Sequence, residues 1–366
     1  MGNREPKMAA PAVHDVDALA GAGPPRAGEP LTDPGSTRSR PTGRDVARLA
    51  GVSQATVSLV FSGIAGHRVS ENTRNRVREA AKRLGYQPQA AARQLRLGRT
   101  GMVLLAIPDI KGPFFARILA GAHEAAEEHG LTVVVGSQWD SDKLASMTTV
   151  NQFDGLLICS PTDRQIGEFP AFMPVIFLDS DPALGGRNRI VVELDVAGGM
   201  RSAVRHMVGL GHRRIGHLRY DRPSHTYRAR QAAFEEESRH LDVVERLIPE
   251  PAGFEGLRKI AWEMLAADDH PRAVICDDDL AAACVYHAAA EFGLRIPDDI
   301  SVVGIDNIDA SAFFVPGLTT VDLSGEELGR LGITAMAGLL NGDDPQAPAP
   351  VRTRLVVRQS TEALRM

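Results

Sequence analysis

From Met102 onward the chain alternates short apolar stretches with amphipathic ones, and this alternation limits the possible folds more than any other feature. Near-continuous apolar strands between amphipathic helices predict a parallel sheet with helices on both faces. About 265 residues of this pattern exceed one compact sheet, so we expect two α/β lobes. The predicted strands are Met102–Ile107, Leu131–Val135, Gly155–Cys159, Val175–Leu178, Ile215–Tyr220, Ala273–Cys276, Ser301–Ile305 and Leu355–Val357. The predicted helices between them include Pro113–His129, Gly198–Leu210, Tyr227–Ser238 and Leu280–Phe292.

The segment before Met102 has a different composition. Residues 1–40 are rich in Ala, Gly, Pro and small polar residues without any helical or alternating period, which predicts a disordered tail. Residues 41–100 contain eleven Lys or Arg but only three Asp or Glu, although the whole chain has a net charge of −5. A basic block attached to an acidic body indicates a nucleic-acid-binding module. The alternative is an ordinary solvated charged face.

The spacing of residues 45–58, DVARLAGVSQATVS, is typical of a helix-turn-helix. An Ala where two helices cross, a Gly in the tight turn and a buried Val after it set the angle between the helices. We expect Val46, Leu49 and Ala50 on the buried face of the first helix, and caps at Ser53 and Ser70 for the next two. A purely structural helical hairpin, the alternative, would not need short polar residues at 53, 54, 56 and 58 beside a basic block.

From about Thr42 to its carboxyl end the sequence resembles the LacI/GalR family of bacterial transcription regulators. The most specific matches are DVARLAGVSQATVS, VSENTRNRVREAAKRLGYQPQAAARQLRLGRTG, PFFARILAG, DGLLI, LGHRRIGHL, IPDDISVVGIDN, PGLTTV and LVVRQST. The resemblance implies an N-terminal all-α helix-turn-helix headpiece with a hinge helix. It also implies a C-terminal α/β effector domain of two parallel-sheet lobes, like a periplasmic sugar-binding protein.

We therefore expect a headpiece at 41–87, a hinge helix and linker at 88–100, and an effector-binding and dimerisation domain at 101–366. The boundaries expected for the first lobe are 101–211 and 323–342. Those expected for the second lobe are 212–322 and 343–366.

The resemblance also implies DNA-binding positions. Those expected to face bases are Gln54, Ala55 and Ser58, and those expected to contact phosphates are Ser53, Thr56, Ser62, Ser70 and Thr73. Leu95 matches a hinge leucine that wedges into the minor groove, with Ala92 and Arg93 beside it. Leu59 stands where many members place an arginine that reads a guanine, so the base that faces Leu59 stays open.

The effector is expected between the lobes, at the carboxyl ends of the strands, where open α/β sheets bind ligands. Phe115, Asp277 and Asp306 are expected there because each follows a predicted strand, and the resemblance implies that Arg230, Asp277 and Asp306 contact the ligand. Carboxylates and arginine suit a sugar because each can bind paired hydroxyls by charge-assisted hydrogen bonds. The alternatives are that Asp278 and Asp279 cap the following helix, and that Phe115 is a core residue.

Other classes of protein are disfavoured. No apolar run reaches the roughly 18 residues of a membrane span, and the amino terminus lacks a secretory pattern. The three cysteines lack CxxC spacing, which excludes a disulfide scaffold and a zinc ribbon. His123 and Glu124 begin a zinc-protease pattern, but Glu127 stands where the second histidine is needed.

The sequence thus predicts a cytoplasmic, homodimeric transcription regulator, most simply a repressor. Its expected partners are a pseudo-palindromic double-stranded operator and a small effector such as a sugar. Neither a cofactor nor a metal is expected. Two rival interpretations are a periplasmic sugar-binding protein and an enzyme that uses the carboxylates at 277–279. The basic block disfavours the first, and the second lacks a nucleophile or a phosphate loop.

Overall fold

The computed structural model describes residues 41–61, 69–86, 99–137, 152–166, 172–249, 253–344 and 346–364, together with 140, 142 and 146. The chain divides into two compact units, residues 1–88 and 89–366. This division lies at the start of the segment expected to form the hinge.

The described part of the first unit contains three helices: α1 (Gly43–Ala50), α2 (Gln54–Phe61) and α3 (Glu71–Leu84). Helix α1 begins at a capping box, in which the Thr42 backbone N–H donates to Asp45 Oδ2 at 2.9 Å. The hydrogen bonds from Thr42 lower the pKa of Asp45. The helix ends at Gly51, whose φ of 62° is the left-handed conformation that favours glycine. Both ends of α1 are therefore specified by local sequence.

The headpiece core consists of small and β-branched side chains from all three helices. Val46, Val57 and Val77 are almost completely buried. Leu49 is 46% exposed, so its expected place on the buried face is wrong. The buried face of α1 is formed by Val46, Ala47 and Ala50, and the helical period places Leu49 at the margin of that face.

The first sheet of the second unit is entirely parallel and has the strand order β2-β1-β3-β4-β5. Its strands are β1 (Met102–Ile107), β2 (Thr132–Ser137), β3 (Gly155–Cys159), β4 (Val175–Leu178) and β5 (Arg189–Val192). Helix α4 (Pro113–His129) packs against helix α9 (Gly325–Asn341). At Gly121 an added Cβ would lie 1.9 Å from the carbonyl oxygen of Glu326, so glycine allows the two helices to touch.

The second sheet has the order β11-β10-β9-β8-β6-β7, with β11 antiparallel to β10. Its strands are β6 (Arg214–Tyr220), β7 (Asp242–Ile248), β8 (Ala273–Cys276), β9 (Ser301–Asp306), β10 (Thr319–Asp322) and β11 (Arg354–Val356). The accompanying helices are α5 (Val196–Gly209), α6 (His225–Glu237), α7 (Gly253–Leu265) and α8 (Asp279–Glu291).

All eight predicted strands are present, with ends that differ by at most two residues, whereas β5, β7 and β10 were not predicted. The expected lobe boundary at 211/212 is wrong. Helix α5 packs on α6 and on β10 and β11, so it belongs to the second lobe, and the chain crosses between the lobes near Leu194. Alternation of strands and helices does not say which sheet a helix covers.

Candidate functional site

Helix α2 separates a buried apolar side from an exposed polar one. Val57 and Val60 are buried, whereas Gln54, Ala55 and Ser58 are exposed. The three residues expected to face bases therefore lie on the free surface of the helix. A helix that presents short polar side chains beside its amino terminus has the shape that enters a major groove.

Two serine–threonine pairs hold the starts of helices α2 and α3. Ser53 Oγ accepts a hydrogen bond from the Thr56 backbone N–H at 3.1 Å and lies 2.9 Å from Thr56 Oγ1. Ser70 and Thr73 repeat this arrangement at 3.3 and 2.9 Å. These hydroxyls and the backbone N–H groups of the helix amino termini can also donate hydrogen bonds to phosphate oxygens.

The remaining headpiece positions differ in exposure. Leu59 is half-buried and packs partly on the headpiece core. Arg76 donates from Nη2 to the Ala50 carbonyl at 2.6 Å, so it joins α3 to the end of α1. Ser62, Ala92, Arg93 and Leu95 lie outside the described residues, and their DNA-binding roles stay predictions.

In the second unit, Arg230 lies at the centre of a group of buried polar side chains. It projects from α6 and is only 5% exposed. Its Nη1 donates to the Asp277 backbone carbonyl at 2.8 Å, and its guanidinium carbon lies 5.4 Å from the centre of the Tyr227 ring. Its Nε is buried and has no hydrogen-bond partner among the described residues. A buried donor without an acceptor is costly.

Asp277 uses its carboxylate within the protein. Its Oδ1 lies 3.3 Å from His217 Nε2, and its Oδ2 accepts from the Tyr220 backbone N–H at 3.0 Å. The residue is 3% exposed. The Asp277 carboxylate is thus held by groups of the second lobe, and its expected contact with the effector stays a prediction.

The two following aspartates have separate structural roles. Asp278 caps α8 by accepting from the Ala281 N–H at 2.6 Å, and its other oxygen accepts from Tyr220 Oη at 2.7 Å. The capping alternative is therefore confirmed for Asp278. Asp279 instead accepts from the Ile308 N–H at 2.9 Å and from Ser311 Oγ at 2.6 Å. It ties the start of α8 to the turn after β9.

Asp306 is the last residue of β9 and begins that turn. Its φ is 115°, and Asn307 has a φ of 53°, which places two consecutive non-glycine residues in strained conformations. Arg117 of the first lobe donates from Nη1 to the Asn307 carbonyl at 3.0 Å. Burial and the neighbouring carboxylates Asp278 and Asp279 raise the pKa of Asp306, and Arg230 partly opposes them. The Asp306 carboxylate accepts no hydrogen bond in the described part of the chain, so it is open to a ligand.

The first lobe contributes Asp179, which directly follows β4 and has a φ of 51°. Its carboxylate accepts from Ser160 Oγ at 2.7 Å. Thr226 of the second lobe donates to its carbonyl oxygen at 3.2 Å. Burial raises the pKa of Asp179, and the charge of Arg230 opposes this shift. We call Asp179, Arg230, Asp278 and Asp306 the interlobe site, because they come from both lobes and their charges interact.

Comparison with known proteins agrees with both units. Residues 42–89 match the model for bacterial regulatory proteins of the lacI family, and residues 204–361 match the periplasmic binding protein-like domain. The chain is 31% identical over 335 residues to the HTH-type transcriptional repressor PurR of Salmonella newport, covering 87% of this chain and 96% of that protein. It is 30% identical to the repressor CytR of Escherichia coli, covering 88% of this chain and 97% of that protein. The chain belongs to the lacI family.

A solved structure of the lac repressor dimer, bound to operator and the anti-inducer ONPF, gives a TM-score of 0.74 at 28% identity. The match covers 88% of this chain and 99% of the repressor chain. This lacI-family protein is therefore a DNA-binding transcription regulator with a periplasmic-binding-protein-like effector domain, and the expected fold class is confirmed. The relatives are regulators rather than enzymes. Among the helices that the structure describes, none is long and apolar enough to cross a membrane.

Three of the four expected effector residues, Arg230, Asp277 and Asp306, come together in this lacI-family protein. Phe115 is half-buried and stands 5.7 Å, ring centre to ring centre, from the buried Phe114. Asp179 was missed, although one signal was available. It follows an apolar strand directly, as Asp277 follows β8, and the rule that ligands bind at carboxyl ends of strands applies equally to it.

Proposed function

We propose that this lacI-family regulator is a homodimeric repressor of the cytoplasm, whose affinity for a pseudo-palindromic operator is set by a sugar-like ligand in the interlobe site. The observation that carries the ligand half of this proposal is the unpartnered Nε of Arg230. The charge of Arg230 also acts on the Asp306 carboxylate, which accepts no hydrogen bond in the described part of the chain. A donor and an acceptor that both lack partners suit a hydroxyl group.

A hydroxyl both accepts and donates, so one oxygen can take the proton of Arg230 Nε while its own proton goes to Asp306. Hydrogen bonds to charged groups in a desolvated site are stronger than neutral ones. Because Asp179 belongs to the first lobe and Arg230 to the second, a ligand that contacts both favours one arrangement of the lobes. Differential contacts of this kind are what effector control requires.

For the DNA half, we propose that α2 enters the major groove with Gln54, Ala55 and Ser58 at base edges. Ser53, Thr56, Ser70 and Thr73 would then lie near phosphates. The exposed basic residues of α3, among them Arg78, Lys82 and Arg83, add a favourable field. The minor-groove wedge at Leu95, flanked by Ala92 and Arg93, and a phosphate contact at Ser62 remain part of this proposal.

The proposal of a homodimer is supported by exposed apolar side chains. Phe313 and Val315, in the segment between β9 and β10, are 81% and 91% exposed. The two side chains are close in sequence, and contiguous exposed apolar patches mark interaction surfaces. A second copy is the partner that fits, since the similar lac repressor structure is a dimer on its operator. A dimer reads two half-sites related by two-fold symmetry.

The test begins with selection of binding sites by the full-length protein from a pool of random DNA. We expect an inverted repeat whose half-sites are separated by about one helical turn or a multiple of it. A thermal-shift screen of pentoses and hexoses then supplies a ligand, and its effect on the affinity for the selected DNA is measured by fluorescence anisotropy. We expect a change of roughly 5–150-fold.

Three results would contradict the proposal in different ways. Selection without any sequence preference would refute specific DNA recognition. A single half-site without symmetry would refute the homodimer. A sugar that raises the melting temperature of the protein without changing its affinity for DNA would refute effector control through the interlobe site.

A further inference from the structure

We propose that the effector is a polyhydroxylated amine, such as an amino sugar, whose ammonium group pairs with Asp306 while a hydroxyl oxygen accepts from Arg230. This inference rests on the proposed interlobe site and specifies the chemistry of its ligand. It follows from the balance of charge around Arg230 and from the atoms there that lack partners.

The carboxylates near Arg230 outnumber it. The charge of Arg230 acts on Asp179, Asp277, Asp278 and Asp306 together. A hydrogen bond to an uncharged group does not cancel the charge of a carboxylate, so Asp277 counts with the other three. Four carboxylates thus stand against two guanidinium groups, that of Arg230 and that of Arg222, whose guanidinium carbon lies 6.0 Å from the centre of the Tyr227 ring. A neutral sugar would leave this excess of negative charge unchanged.

The excess of negative charge affects the pKa values of the carboxyl groups themselves. Burial is the largest cause that raises the pKa of Asp179, Asp278 and Asp306, and repulsion among the carboxylates adds to it at Asp278 and Asp306. Arg230 opposes the shift at each residue without cancelling it. A cation placed among these groups would stabilise their ionised forms, because an opposite charge in a buried site acts strongly.

The carboxylate that accepts no hydrogen bond indicates where a cation of the ligand would bind. Asp278 uses one oxygen to cap α8 and the other to accept from Tyr220. Asp179 accepts from Ser160. Asp306 accepts nothing in the described part of the chain, and its conformation is fixed by the turn that Arg117 holds. The ammonium group of a ligand therefore pairs best with Asp306.

The vacant Nε of Arg230 excludes a ligand that is only a cation. That atom is a donor on a side chain that is 5% exposed, and it needs an acceptor. An ammonium group supplies donors only, so the same molecule must also carry an oxygen. A hydroxyl serves here, whereas a carboxylate or phosphate would meet repulsion from the surrounding aspartates. A small molecule that carries both an amine and a hydroxyl group can bind both the Asp306 carboxylate and Arg230 Nε.

The experiment compares matched sugars in calorimetric titrations of the full-length protein at pH 7. Glucosamine, galactosamine and mannosamine are each set against the parent hexose and against the N-acetyl derivative, which keeps the nitrogen but removes its charge. We expect at least one amino sugar to bind about tenfold or more tightly than both of its neutral partners, since a buried charged pair outweighs a neutral hydrogen bond. The affinity should also rise with pH as Asp306 ionises, and fall again at the higher pH at which the ammonium group of the ligand loses its proton.

Asp306→Asn removes the charge while keeping the shape of the side chain, and should reduce the preference for the amino form about tenfold. The matched control is Asp309→Asn, which removes an exposed carboxylate three residues away in the same turn. We expect this control to keep the preference. Ellipticity spectra of both variants check that they fold.

Equal or tighter binding of a parent hexose or an N-acetyl sugar would overturn the inference. So would an amino-sugar preference that survives Asp306→Asn, or a panel in which no amine binds. If neutral sugars bind and change the affinity for operator, the inference fails while the proposed function stands. If Asp306→Asn and Arg230→Ala leave the binding of every sugar unchanged, the interlobe site itself is wrong.

Discussion

The headpiece and the interlobe site use polar side chains in opposite ways. In the headpiece the caps of α2 and α3 join residues three positions apart, as between Ser53 and Thr56, and the residues expected to face bases are exposed. In the interlobe site the side chains are buried and their partners are distant, since Arg230 bonds a residue 47 positions away. Exposed charges act through screened fields, whereas buried charges act strongly over short distances. Changes in the two regions should therefore differ in size and in their dependence on pH.

The largest expected effect is a change of the unfolding free energy with pH, and it is caused by Asp279, which is fully buried. Burial raises its pKa to about 6, from an ordinary value of 3.8. A raised carboxyl pKa stabilises the fold below pH 4, and this contribution is lost as the pH rises through 6. Relative to Asp279→Asn, the wild-type protein should lose about 3 kcal/mol of unfolding free energy between pH 4 and 7.

Urea unfolding of both proteins, followed by circular dichroism across that range, measures this difference. His206 and His212, whose pKa values are lowered by burial, act in the opposite direction, but they are present in both proteins and cancel. Asp309→Asn shows what the loss of an exposed carboxylate does. If the unfolding free energies of the wild-type protein and Asp279→Asn change in parallel with pH, burial does not raise the pKa of Asp279.

The second prediction concerns coupling between the two regions. Arg230→Ala should weaken binding of the effector by on the order of 2 kcal/mol, because the ligand loses a charged hydrogen-bond donor. Binding to operator without ligand should stay at the wild-type level, since the headpiece is unchanged. Titration calorimetry and anisotropy measure the two quantities. Arg239→Ala, which removes an exposed arginine of the same lobe, is the matched control.

An Arg230→Ala protein that binds the effector as tightly as wild type would show that the ligand lies elsewhere. A protein that loses affinity for operator in the absence of ligand would show instead that the two regions are not separable.

The smallest expected effect lies in the headpiece. Gln54→Ala should weaken binding to the selected operator by about 1–2 kcal/mol, the usual value of a direct base contact. Binding to random DNA should be unaffected, because phosphate contacts dominate there. Asn75→Ala, at an exposed position of α3, is the control. Equal losses on both DNAs would place Gln54 at the backbone rather than at a base.

Prediction from sequence was accurate where the determinants are local. The caps at Ser53 and Ser70, the glycine that ends α1 and the apolar period of Pro113–His129 all act within a few residues. Asp306 could be chosen in advance because it follows a predicted strand, and the carboxyl ends of parallel strands share one edge. Arg230 lies within a helix, and only the resemblance to a known family pointed to it.

Tertiary structure determined the partners of the buried polar side chains, which the sequence pattern could not predict. Asp277, Asp278 and Asp279 are consecutive and chemically alike, yet one meets His217, one caps α8 and one binds the turn after β9. Asp179 joins the site only because Thr226 of the other lobe meets it. Parallel strands become neighbours through crossovers of many residues, so the partner of a buried polar group is set by the order of strands in the sheet. The sequence by itself determined the elements and the chemical types at their ends, and packing assigned each buried charge its partner.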